Sequence, residues 1–226
     1  MSVVLSCVQP SYLAWIPLFK RMIDGDIFVY LDDVEYSKNS FHNRNYIKGP
    51  QGKVLLTVPV TYKGNANKYI TEMPINNDLP WAKKHWRSIE INYSKAPYFS
   101  EIHSTIFTKI YNSNWETLGE LSITLIELFK NYLNITCDVY RSSELGIKTR
   151  GNQKLVDICN LLNADSFIVK PDTEDYHPKE FFEKKGIKFI YFQPKSIPYL
   201  QQYGEFIPNL SILDYVMNCG PKELRW

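Results

Sequence analysis

The segment ITCDVYRSSELGIKTRGNQKLVDICNLLNADSFIVK, residues 135–170, decides the fold class of this chain. Its apolar runs and helical periodicity predict a strand, a helix and a second strand, and the same alternation continues after it. The predicted elements are a strand at 135–140, a helix at 152–163, a strand at 166–170, a helix at 178–185, a strand at 187–192 and a helix near 210–218. Alternating strands and helices are typical of a mostly parallel sheet with helices on both faces, so the sequence predicts an α/β fold.

Two more buried strands are predicted at 3–8 and 27–31, upstream of this region. Pro17 fits the first turn of a helix running to about residue 23, because a proline inside that helix would remove a hydrogen bond. In parallel sheets, ligands bind beyond the carboxyl ends of the strands. The side chains expected at that edge are those of Cys7, Asp32 and Asp33.

A helical section separates these strands from the rest of the sheet. Residues 53–60 form one further candidate strand, and helices are then predicted at 78–93, 97–112 and 115–133. We expect these helices to form a lobe inserted at about 78–133. The chain has 226 residues, which one core can accommodate, so a single domain over 1–226 with this insertion is predicted.

Composition excludes several classes of protein. Hydrophobic residues make up 44% of the chain, charged residues 22%, and the net charge is +2 without a basic block, which argues against a nucleic-acid partner. No signal peptide and no apolar run of membrane-spanning length occur, so we expect a cytoplasmic protein without a membrane partner. The four cysteines form no Cys-x-x-Cys pair and are expected to be free thiols.

Long segments of the chain resemble the WbqC-like family of bacterial proteins. The segments are QPSYLAW (9–15), LDDVEYSKNSFHNRNYIKGPQG (31–52), LTVPV (56–60), WAKKHWRSIEINYSKAPYF (81–99), RSSELGI (141–147) and YGEFIPNLSILDYVMNCGP (203–221). The resemblance implies a role in the biosynthesis of surface polysaccharide or of secondary metabolites. The chain departs from the family pattern at Ala14, His42 and Lys170, and Cys7 and His103 also look particular to it.

The first functional hypothesis is a cysteine-dependent acyl hydrolase or acyltransferase. It would act on a small-molecule or carrier-linked ester, thioester or amide, with Cys7 attacking as a thiolate. His103 or His85 would serve as the base, with His42 as a third candidate, and Gln9 or backbone N–H groups would stabilise the oxyanion. The competing interpretation is structural: Cys7 fills the core, and both helical histidines lie on apolar helix faces.

The second hypothesis is a transferase that modifies a nucleotide-linked sugar during polysaccharide (O-antigen) assembly. Paired acids after a buried strand resemble carboxylates that hold a divalent ion, although Asp32 and Asp33 lack the alternating spacing of such sites. A polar segment between two strand candidates could clamp a carboxylate or phosphate. Its candidate residues are His42, Asn43, Arg44, Asn45 and Lys48. Alternatively, the acids cap a loop or pair with Arg44.

Aromatic residues could line an organic ligand, and Tyr12 and Trp15 follow the first strand closely enough to do so. A third hypothesis is a non-catalytic partner of an assembly enzyme, which predicts an unreactive Cys7 and an exposed apolar patch. The oligomeric state is left open by the sequence.

The predicted sheet and its first strand, turn and helix suggest a nucleotidyltransferase-like variant of the Rossmann fold. Adenylyl transfer is disfavoured because residues 9–19 contain no histidine and no Gly-rich phosphate loop occurs. A zinc site is disfavoured because no two histidines lie four residues apart and no cysteine pair accompanies one. We therefore predict neither a metal nor a cofactor.

Overall fold

The computed structural model describes residues 2–171, 176–193, 196–222 and 224. The strands and α-helices in this part of the chain are β1 (Val4–Val8), α1 (Ile16–Asp24), β2 (Ile27–Tyr30), β3 (Arg44–Gly49), β4 (Gly52–Thr57), α2 (Trp81–Tyr93), α3 (Phe99–Ile102), α4 (Thr108–Tyr111), α5 (Leu118–Tyr132), β5 (Asp138–Arg141), α6 (Gly151–Leu161), β6 (Ser166–Val169), α7 (Lys179–Glu183), β7 (Lys188–Tyr191) and α8 (Ile212–Cys219). Short 3-10 helices span Ile70–Glu72 and Ser142–Glu144, and a π-helical segment spans His103–Phe107.

The chain divides into two compact units. The sheet unit comprises residues 1–9, 17–33 and 135–195, and the helical unit comprises residues 10–16, 34–134 and 196–226. The helices predicted at 78–133 belong to the helical unit, together with the hairpin β3–β4. The single domain over 1–226 stays a prediction.

The sheet unit contains five parallel strands in the spatial order β5-β2-β1-β6-β7. The predicted α/β fold with a mostly parallel sheet is confirmed. From β1 the chain builds outward through β2 to β5, and it then crosses to the other side of β1 to form β6 and β7. The strand order therefore reverses between β1 and β6, which is where parallel sheets bind ligands. The nucleotidyltransferase-like variant stays a prediction.

The core of the sheet unit is formed largely by the β-branched, aliphatic and aromatic side chains of its strands. Leu5, Val29 and Phe167 are buried on neighbouring strands, and Phe182 of α7 stacks on Phe167 with ring centroids 5.9 Å apart. The amphipathic helix α6 adds buried residues such as Val156 to the same core. Burial of each large apolar side chain contributes about 1.5–3 kcal/mol, so these contacts fix the strand ends that position the candidate site.

The hairpin β3–β4 differs from the prediction for the segment 42–52. The sequence predicts a polar segment between two strands here, whereas Arg44–Gly49 is itself a strand, paired antiparallel with Gly52–Thr57. Asparagine and lysine have low strand propensity. Their presence in RNYIKG therefore makes the alternation of buried and less buried positions hard to recognise from the sequence. The hairpin is stable because alternate residues such as Asn45 and Ile47 are buried and the Gly-Pro-Gln-Gly turn closes it.

The helices of the helical unit lie close to their predicted positions, with one correction. The final helix was expected to pack on the sheet, but α8 belongs to the helical unit and contacts α3 and β3. Apolar spacing shows that a helix face is buried and does not identify its partner. No helix in the described residues is long and apolar enough to cross a membrane.

Candidate functional site

Arg21 belongs to a group of basic residues at the carboxyl edge of the parallel sheet. Side chains of a helix lean toward its N-terminus, so Arg21 in the last turn of α1 is directed toward that edge. Its guanidinium packs over the ring of Phe192, 5.2 Å from the centroid. Burial lowers the pKa of Arg21 to about 10, although the neighbouring Cys7 opposes this. Among the described residues, no carboxylate forms an ion pair with Arg21.

Two further basic groups share this edge with Arg21. Lys170 directly follows β6, at the point where the strand order reverses, and His177 precedes α7. Partial burial and the positive charge of Arg21 lower the pKa values of both side chains. Burial is the larger cause of both shifts, and the charge of Arg21 adds to it, so an anion bound beside Arg21 and Lys170 would be favoured.

The N-terminus of α6 reaches the same edge. His177 Nδ1 lies 2.6 Å from Asn152 Oδ1 in the first turn of this eleven-residue helix. No described side chain caps the helix, and its first turn contains no acidic residue. The first N–H groups of a helix and its dipole favour negative charge, so this terminus complements Arg21 and Lys170.

The paired acids after β2 bind groups of the sheet unit. Asp33 forms an ion pair with Lys154 and accepts a hydrogen bond from Ser142. Asp32 is fully buried and accepts from the Ser143 N–H at 2.9 Å and from the Ser143 hydroxyl at 2.7 Å. Both carboxylates therefore stabilise the turn after β5 and the start of α6, and Arg44, the sequence-based partner, belongs to the helical unit.

Cys7 lies within the core of the sheet unit. Its side chain is 7% exposed and packs with Val29 and Cys159. Burial and Cys159 raise the pKa of the Cys7 thiol well above its usual value, and the opposing effects of Arg21 and Lys154 are smaller. A buried neutral thiol is a poor nucleophile, so this geometry favours the structural interpretation of Cys7.

We predict that Cys7 reacts slowly with iodoacetamide at neutral pH. Its labelling should increase only well above pH 9, because the raised pKa keeps the thiolate fraction small. Mass spectrometry of each cysteine peptide gives the rates, with the partly exposed Cys137 as the internal comparison. Rapid, selective labelling of Cys7 below pH 7 would contradict this prediction and restore the nucleophile hypothesis.

The two helical histidines occupy different environments in the helical unit. His85 is buried, its Nδ1 lies 2.8 Å from Tyr12 Oη, and burial lowers its pKa to about 4. His103 is exposed and stacks on Trp86, with ring centroids 4.6 Å apart. It also stacks on Phe99, its predicted neighbour on the helix face, with ring centroids 6.2 Å apart.

Cys7 belongs to the sheet unit and both of these histidines to the helical unit, so the predicted thiol and imidazole pair stays a hypothesis.

The polar residues of the predicted clamp largely hold the helical unit together. Lys48 is 2% exposed and its Nζ donates to Gln201 Oε1 at 3.0 Å and to the Glu205 carbonyl at 2.6 Å. Asn45 Nδ2 donates to the Leu13 carbonyl at 2.7 Å. His42 is buried, and burial lowers its pKa. A role in substrate binding for these residues, and for Asn43 and Arg44, stays a prediction.

The aromatic residues near the N-terminus are also engaged within the helical unit. Tyr12 is buried, and its hydroxyl lies 2.8 Å from that of Tyr111. Trp15 forms a backbone bridge with Ser211. Gln9 is exposed directly after β1, in the sheet unit. Of the predicted ligand-binding residues, Gln9, Asp32 and Asp33 are the ones that follow strands of the parallel sheet.

Sequence reasoning missed the basic residues of this edge. Lys170 could have been found, since it is the last residue of a predicted buried strand and ligands bind beyond the carboxyl ends of such strands. Arg21 carried no such signal, because a basic residue on an amphipathic helix usually faces water. His177 carried no signal beyond its place just before Pro178 and the predicted helix at 178–185. In the described part of the chain, no group of three or more His, Cys, Asp or Glu residues could hold a metal ion.

The strand order and the flanking helices define the chain as an α/β protein with a doubly wound parallel sheet. The profile of the WbqC-like protein family matches residues 9–226, and this chain belongs to that family. It is similar to an uncharacterized protein of Mycobacterium tuberculosis, Rv1507c, with 31% identity over 226 residues that cover 98% of this chain and 97% of the relative. No solved structure matches the chain at a significant level.

Proposed function

We propose that the protein binds a phosphate-bearing small molecule at the carboxyl edge of its parallel sheet, as the substrate of a group-transfer reaction. The observation that carries the proposal is the convergence of Arg21, Lys170 and His177 at this edge. Holding cations together in a partly buried place costs free energy, and a bound phosphate or diphosphate would offset that cost.

Two independent features support phosphate as the ligand chemistry. The uncapped N-terminus of α6 offers backbone N–H groups to an anion, and the reversal of strand order provides the crevice in which doubly wound sheets bind nucleotides. Asp33 is already paired with Lys154, so the acids leave the positive charge of Arg21 uncompensated among the described contacts. A nucleotide-linked sugar, the substrate class of the second sequence-based hypothesis, is the first to test.

The acyl-transfer mechanism through Cys7 is a weaker candidate. Arg21 and Lys154 favour the thiolate of Cys7, but burial outweighs them. An anion bound beside Arg21 would raise the pKa of the thiol further. We therefore assign Cys7 a structural role and place the substrate-binding groups beside it.

Thermal unfolding with a panel of ligands tests the proposal. The panel comprises inorganic pyrophosphate, uridine 5′-diphosphate, adenosine 5′-diphosphate and the nucleosides uridine and adenosine. At about a hundred times Kd, a phosphate-bearing ligand should stabilise the fold by about 2.7 kcal/mol and raise Tm by about 5–10 °C. The nucleosides should have little effect. Equal shifts with and without phosphate, or none with any compound, would refute the proposal.

A further inference from the structure

A surface pocket lies in the helical unit. It has a volume of about 670 Å³, which is within the range of small-molecule sites, and it is formed by residues 60–64 with Lys38 and Ala66. Its lining includes two lysines, Lys38 and Lys63, and no acidic residue. The charge of the lining therefore favours an anionic ligand.

The wall of this pocket is held by its own backbone and side chains. The Thr61 N–H donates to the Pro74 carbonyl at 2.9 Å, and the Asn65 N–H donates to the Tyr62 carbonyl at 2.9 Å. Asn65 Nδ2 also donates to the Thr61 carbonyl at 2.8 Å. Gly64 has φ +80°, a conformation that other residues adopt at a cost. The pocket is preformed, which lowers the entropy cost of binding.

Tyr62 provides a flat surface beside the positive charges. The ammonium of Lys38 lies over its ring, 5.2 Å from the centroid. On another side, Tyr62 contacts the buried Tyr36, with centroids 6.1 Å apart and planes tilted by 57°. A sugar ring can pack its C–H groups on such a ring while an acidic substituent binds the lysine, since both contacts lie within one small molecule.

Two buried polar atoms at the start of β3 lack partners within the described residues. Arg44 Nε and Asn43 Oδ1 are buried without a hydrogen-bond partner among the described residues, and Asn43 is 3% exposed. Arg44 is close enough to Tyr36 to oppose the rise in its pKa that burial causes. Unsatisfied buried groups are rare in folded proteins and are typical of places that receive water or a ligand.

We propose that this pocket binds a sugar-sized acid, with Lys38 and Lys63 holding the acidic group and Tyr62 packing against the ring. Arg44 interacts electrostatically with Tyr36, the ring that contacts Tyr62, and adds to the positive field. The acidic group is a carboxylate or a phosphate, since both are anions that a lysine ammonium can bind. All of its residues belong to the helical unit, whereas the phosphate-binding edge belongs to the sheet unit.

Ligand-observed NMR titration tests this pocket with glucuronate, glucose 1-phosphate and neutral glucose as probes. Glucuronate, glucose 1-phosphate or both should bind with millimolar or lower Kd, and glucose should bind at least about tenfold more weakly. The better of the two acids identifies the source of the charge. Equal binding of glucose, or no binding of either acid at 10 mM (about the weakest affinity of interest), overturns the proposal.

Matched variants separate this pocket from nonspecific attraction. Lys38→Gln and Tyr62→Ala should each raise Kd about tenfold, and Tyr62→Phe should retain binding. Lys53→Gln is the control, since Lys53 also lies over a tyrosine ring, that of Tyr46 at 5.6 Å, but outside the pocket. Equal weakening by Lys38→Gln and Lys53→Gln in folded protein would overturn the proposal. Because Tyr62→Phe keeps the ring, its retained binding assigns a loss in Tyr62→Ala to the ring and not to the hydroxyl, and the Tm of each variant shows whether it is folded.

Discussion

Replacing Asp33 by alanine is expected to lower the free energy of unfolding by about 2–4 kcal/mol. The side chains of Lys154 and Asp33 are 11% and 20% exposed, so the substitution leaves an ammonium without its counter-charge in a largely dry place. Ser142 loses an acceptor as well. Urea denaturation at pH 7 measures the loss. The control is Glu183→Ala, which breaks the exposed pair Lys179–Glu183 and should cost less than about 0.5 kcal/mol.

The effect of Asp33 should also depend on pH. Burial raises the pKa of Asp33, but hydrogen bonds from Lys154 and Ser142 outweigh burial and lower the pKa below its ordinary value. The stabilisation is therefore present above the unfolded pKa, about 3.9, and is lost as the pH falls through the folded pKa. A difference between wild type and Asp33→Ala that stays constant from pH 7 to pH 2 would contradict this account. The double variant Asp33→Ala/Lys154→Met should recover much of the loss.

Tyr93→Phe should destabilise the helical unit by about 3 kcal/mol. The Tyr93 hydroxyl donates to Asp214 Oδ1 at 2.7 Å and accepts from the Lys48 N–H at 2.8 Å. Asp214 is fully buried, and burial raises its pKa. Removing one oxygen therefore takes the acceptor from the buried Lys48 N–H and the donor from Asp214 Oδ1, although Tyr199 still donates to Asp214 Oδ2 at 2.7 Å. Each buried hydrogen bond lost in this way costs about 1–3 kcal/mol.

Tyr46→Phe provides the comparison for Tyr93→Phe. The ring of Tyr46 is partly buried and its hydroxyl has no hydrogen bond within the described residues, so the change should fall within about 0.5 kcal/mol. Thermal or urea unfolding of both variants gives the result. Similar losses for the two substitutions would show that the Tyr93 hydroxyl does not link β3 to α8.

Local patterns were sufficient to predict the parallel sheet. In the segment 135–170, continuous apolar runs predict the two strands and a clear helical period predicts the helix between them. Such local signals do not depend on distant parts of the chain. The strand Arg44–Gly49 was missed because its polar residues are buried by hydrogen bonds that appear only in the folded chain, as for Lys48 and Gln201. Tertiary context overrides strand propensity at such positions.

Most of the candidate site could not be predicted from the sequence. Cys7 and Asp33 lie at the predicted edge of the sheet, but the sequence does not reveal that Cys7 is enclosed by α6 or that Asp33 has Lys154 as a partner. These contacts span more than a hundred residues of chain. Arg21 and Lys170 are likewise brought together by the order of the strands in the sheet. The pattern of a single helix or strand does not reveal that order.

Calorimetric titration of wild type, Arg21→Gln and Lys188→Gln with the ligand that gives the largest thermal shift is the most direct test of phosphate binding. Lys188 is an exposed lysine at the amino end of β7, at the opposite edge of the sheet. Arg21→Gln should raise Kd about 10–100-fold through loss of charged hydrogen bonds, and Lys188→Gln should leave Kd unchanged. An unchanged Kd for Arg21→Gln, or equal weakening by both variants, would contradict a phosphate site at the carboxyl edge.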